Sequence, residues 1–206
     1  MGIYVIFAIV MVQGFLNLSE VLIPVDGIFD DESAITAASL FVSYVIIVSS
    51  WIGYSRSLSK RPYSDNWQGS ARFVLDIMIL FEYFYLLSIS TTEYFTEQFP
   101  AVVFTIFVTY AVWDRIKRSE YKYLKKQDND AYENMAIRSR KTIICLAVSF
   151  AILVYHSIIT EYMIETYQMS ESVGIAILLV LISALVIYYR AWKWNMRETR
   201  LGFLTR

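Results

Sequence analysis

Histidine and cysteine occur once each in the 206 residues and proline three times, and each scarcity removes a class of function. The lone Cys145 excludes an internal disulfide and a cysteine-built metal site, and His156 cannot hold a metal by itself. Walker A, glycine-rich phosphate loop, HExxH and GxSxG patterns are all absent. The sequence therefore predicts no catalytic set, no metal site and no cofactor.

Punctuation is sparse as well. Pro24, Pro62 and Pro100 fall in connections or at the first turn of an apolar block, and only Gly14, Gly53 and Gly174 lie within such blocks. Transporters that bind at unwound midplane helices need glycine or proline interruptions, which these blocks lack. No TVGYG-like filter and no re-entrant pore loop is present. Charge is thin: 18% of residues are charged, against about a quarter in soluble domains.

What is abundant is apolar sequence, at 57% hydrophobic residues and a mean hydropathy of +0.47. It is arranged in blocks near the length of about 20 residues that a helix needs to cross a bilayer. The blocks run at about 3–22, 34–54, 72–91, 99–116, 141–161 and 172–191. The fold class read from them is all-α, an integral membrane six-helix bundle forming a single transmembrane domain. The first block has no basic flank and no small-residue cleavage site, so it reads as a retained span.

Charge sign sets the orientation. Every Lys and Arg falls in the second-to-third connection, the fourth-to-fifth connection or the tail, each including the adjoining span ends; the alternate connections carry acids alone, such as Asp26, Glu97 and Glu165. Basic segments stay on the cytoplasmic side. Both termini are thereby expected in the cytoplasm, in a plasma membrane or bacterial inner membrane. Trp51, Trp67, Trp113, Trp192 and Trp194 gather at the same span ends, as interfacial aromatics do. The lipid bilayer is the first partner, with anionic lipids at the basic face. A nucleic-acid partner is not expected.

Polar residues inside the spans mark the candidate pathway, because a charge there costs roughly 2.5–3.5 kcal/mol on insertion scales. Glu82 lies near the middle of the third span among Phe81, Tyr83, Phe84 and Tyr85. It reads equally as a cation or proton site and as a protonated carboxyl bonded between helices. Asp76 stands four residues from Arg72 and reads mainly as its local ion-pair partner. Asp114, Arg115 and Arg118 form a similar interfacial set. Gln13, Asn17 and Glu20 share a face of the first span; Ser39, Ser43 and Ser50 share one in the second; Cys145, Ser149, His156 and Thr160 share one in the fifth. Such stripes commonly mediate helix association. Gln13, Asn17, Glu20, Glu82 and His156 together form the candidate cation route, with Asp76 added as a further intramembrane polar group.

Residues 114–141 form the expected cytoplasmic hairpin and 192–206 a basic aromatic tail. Arg118, Lys122, Lys125, Lys126, Arg190 and Lys193 are the candidate contacts to lipid or to a cytosolic protein. The leading expectation is an oligomeric, cation-preferring channel or pore built as a homo-oligomer. The second is a membrane-embedded anchor or sensor subunit that recruits a cytosolic partner in a multi-component prokaryotic system. An intramembrane enzyme or small transporter comes third.

Overall fold

The computed structural model describes residues 2–23, 31–60, 62–92, 95–124, 129–160, 162, 166 and 170–194. Among them the chain is all-helical, with no strand. In chain order the helices are α1 (Gly2–Leu22), α2 (Asp31–Lys60), α3 (Trp67–Ile89), α4 (Phe95–Leu124), α5 (Asn129–Val154) and α6 (Glu171–Trp194). A π-helical turn, Tyr155–Thr160, continues α5. Five stretches are long and apolar enough to cross a membrane: Ile3–Leu22, Ser33–Ser59, Phe95–Lys122, Tyr132–Ile158 and Glu171–Lys193. The chain is a multi-pass membrane protein. α3 stands apart from these five because Arg72, Asp76 and Glu82 all lie within its 23 residues.

Helix ends overrun the apolar blocks. α2 and α4 are each 30 residues long, about 45 Å at 1.5 Å per residue, beyond a hydrocarbon layer of about 30 Å. Hydropathy marks where lipid ends, whereas backbone hydrogen bonding continues through the charged ends at no cost in water. On the far side of the hairpin, α5 likewise begins in polar sequence, at Asn129 and Asp130. Pro100, expected in a first turn, sits six residues into α4, which begins at Phe95.

α3 starts at a built cap. The Asn66 side chain accepts the Gly69 N–H at 2.9 Å, and its Oδ1 lies 2.7 Å from the Ser64 oxygen. Gly69 is required there, because a Cβ would stand 1.9 Å from the Ser64 carbonyl oxygen. Gly14 similarly lets α1 approach Leu87 and Tyr44, whose side-chain carbons lie 3.1–3.2 Å from where a Cβ would be.

Neighbouring helices run antiparallel. Near one end, Tyr4 and Phe7 of α1 meet Tyr54 of α2, Ser57 of α2 meets Lys117 of α4, and Arg72 of α3 meets Glu120 of α4. Near the opposite end, Ser39 and Ser43 of α2 reach Ser90, just beyond α3. The basic helix ends thus gather at one end of the molecule. Between the ends, Leu40, Ile47, Leu86, Phe99, Ile106 and Ile182 fill the interior. Large apolar side chains such as Phe15, Phe81 and Val180 face outward, as lipid contact requires.

Candidate functional site

The structure concentrates its buried charge at the basic end. Arg72, only 1% exposed, donates to Glu120 at 2.8 Å, and the Ser64 hydroxyl donates to the same carboxylate at 2.8 Å. Asp114 is buried completely; Arg138 of α5 lies 3.0 Å from it, and the Thr142 hydroxyl donates to it. Lys117 donates to Ser57 at 2.7 Å. One indole joins these pairs: Arg72, Lys117 and Arg138 stand 5.4, 5.0 and 5.3 Å from the Trp113 ring centre. Cations against an aromatic face gain from its quadrupole, and the gain grows where water is excluded.

Tyr63, in the connection between α2 and α3, donates to Asp76 at 2.7 Å, and its oxygen lies 3.1 Å from that of Tyr54. Burial, with the Asp76 charge adding to it, pushes the Tyr63 hydroxyl well above its ordinary range, so it remains a donor throughout physiological pH. Asp76 therefore has its hydrogen bond from Tyr63, and the nearest acid to the Arg72 guanidinium is Glu120 from the next helix rather than Asp76 four residues on.

Deeper in the molecule, Arg190 reaches Ser50 and Tyr110, and Tyr110 in turn bonds Tyr83. Arg190 is buried, so it braces α6 against α2 and α4 instead of facing lipid, as the sequence had suggested. Lys193 lies 4.2 Å from the Tyr189 ring and 5.2 Å from that of Tyr110. Arg118 and Lys122 are exposed on α4, with Arg118 5.8 Å from the Tyr132 ring. Lys125 and Lys126 lie outside the described residues.

The expected cation route is not assembled within one chain. Glu82 accepts from Thr109 at 2.7 Å across the α3–α4 contact, while its second carboxylate oxygen is buried without a hydrogen-bond partner among the described residues. Gln13 bonds Asn17 at 2.6 Å on an outward face of α1, and Glu20 is exposed on that same face. His156 belongs to the opposite end, half-buried in the π-helical turn that continues α5. Cys145 and Ser149 are buried against neighbouring helices.

Sequence reasoning did not single out Tyr63, Thr109, Tyr110 or Thr142, and it read Trp113 as interfacial. Interfacial aromatics and intramembrane hydroxyls are too common for composition to separate a network member from a lipid contact. Among the described residues, no group of three His, Cys, Asp or Glu could hold a metal ion. Comparison of the chain with protein-family models, with curated proteins and with solved structures returned no significant match.

Proposed function

We propose that the chain crosses the membrane six times with both ends in the cytoplasm. In this reading it works as a membrane-embedded anchor or sensor component that presents the α4–α5 hairpin to an acidic cytosolic partner. The observation that carries this is the fastening of the hairpin's root. Asp114, Arg138 and Thr142 tie α4 to α5, and Glu120 ties α4 to Arg72 of α3, so a push on the hairpin is felt by the helices behind it. Arg115, Arg118 and Lys122 remain exposed on its surface. Third-span status for α3 is supported by its charges having partners: Arg72 has Glu120, Asp76 has Tyr63 and Glu82 has Thr109.

The test is affinity purification from membranes of the native host. Replacing Arg118, Lys122, Lys125 and Lys126 by Gln should strip a co-purifying soluble protein from an otherwise folded chain. Unchanged association would remove the docking reading.

A second reading is a cation-preferring pore between copies of the chain. It is favoured by Glu82, which is only half-buried and keeps one oxygen without a hydrogen bond among the described residues. The filled interior puts any such path outside a single protomer. Reconstituted vesicles should then pass cations with the native chain and lose their selectivity with Glu82→Gln. Absence of flux from every reconstituted oligomer would discard the pore.

A further inference from the structure

α1 is the least covered of the five membrane-length helices, with 17% of its apolar window buried. Its covered side is Ile3, Phe7, Val10 and Gly14. On another side, Ile6, Ile9, Gln13, Leu16 and Glu20 are all exposed. Their spacing alternates three and four residues along the whole helix, the period of a two-helix seam. Val5, Val12 and Phe15 are exposed too, and what sets this stripe apart from them is its polar groups.

Gln13 sits near the middle of Gly2–Leu22, where hydrocarbon leaves an amide without water. Its Nε2 donates to Asn17 Oδ1, which leaves Gln13 Oε1 and Asn17 Nδ2 without a protein partner among the described residues. One free acceptor and one free donor on neighbouring turns are complementary to themselves. A parallel copy of α1 places the same pair opposite, so each acceptor can take a donor from the other chain. Glu20 lies in the last turn, close to water, where two copies of the carboxylate remain hydrated. The Ile and Leu positions of the stripe supply the packing around the amides.

We infer that α1 pairs with α1 of a second copy of this chain along Ile6, Ile9, Gln13, Leu16 and Glu20, with Gln13 and Asn17 fixing the register. The pairing is independent of both functional readings, since an anchor and a pore can each be oligomeric.

The buried lone cysteine makes the test direct. In a Cys145→Ala background, Leu16→Cys places a thiol on the seam, and Phe15→Cys places another exposed one about 100° around the helix from it and about 140° from the stripe's midline, at 100° per residue. Mild oxidation in native membranes should convert Leu16→Cys into a disulfide-linked homodimer and leave Phe15→Cys monomeric. Adding Gln13→Leu with Asn17→Leu should weaken self-association about tenfold on detergent dilution. Gln13 is exposed and Asn17 partly exposed, so leucine at both positions should leave the packed interior unchanged. Equal cross-linking of the two cysteines, a cross-link from Leu16→Cys to a different protein only, or a strictly monomeric native chain in lipid nanodiscs would each overturn the inference.

Discussion

Arg72 and Glu120 meet at 2.8 Å across the α3–α4 contact, with the guanidinium almost wholly removed from solvent. Removing one member of a buried pair leaves the other uncompensated, which costs about 3–5 kcal/mol. Arg72→Met should therefore lower stability by about 3 kcal/mol in detergent unfolding experiments. Arg72→Met with Glu120→Gln should recover a large part of that loss. A double variant as unstable as the sum of its singles would mean that the two residues do not act as a pair.

At the start of α3, Gly69 leaves no room for a side chain. Gly69→Ala should force residues 62–66 outward and cost about 1–3 kcal/mol, as overpacking does. Asn66→Ala removes only the cap and should cost about 1 kcal/mol. Limited proteolysis of the α2–α3 connection should rise strongly in the first variant and slightly in the second.

Orientation is open to labelling. In the Cys145→Ala background, a cysteine at Glu97 should react with an impermeant maleimide added to intact cells, whereas one at Arg118 should react only after permeabilisation. The reverse pattern would invert the six-span reading.

The architecture was legible wherever the signal was local. Charge sign alternates from connection to connection, and among the described residues Arg72, Lys117 and Arg138 meet around Trp113 at the basic end. The serine stripe of α2 likewise became a contact, with Ser39 and Ser43 both bonding Ser90. Long-range partners were not legible. A sequence offers Arg72 only its neighbour at four residues, and helix crossing instead supplied Glu120, 48 residues away. The stripe read through Cys145, Ser149 and His156 assumes 3.6 residues per turn, but the π turn from Tyr155 widens the helix and changes its phase. For Gln13, Asn17 and Glu20, periodicity established that they share a face. It carries no information on whether that face turns toward the other helices or away.

The Arg72–Glu120 separation also bears on how the protein is made. At roughly 5–20 residues per second, Arg72 leaves the ribosome several seconds before its counter-ion exists. Asp114 likewise waits for Arg138, 24 residues later. Neither charge enters hydrocarbon readily while alone, so under the six-span proposal α3 would wait at the membrane surface until α4 brings Glu120 to neutralise Arg72. Biogenesis would then proceed by helices admitted in pairs, and a chain truncated between α3 and α4 should be retained by quality control rather than integrated.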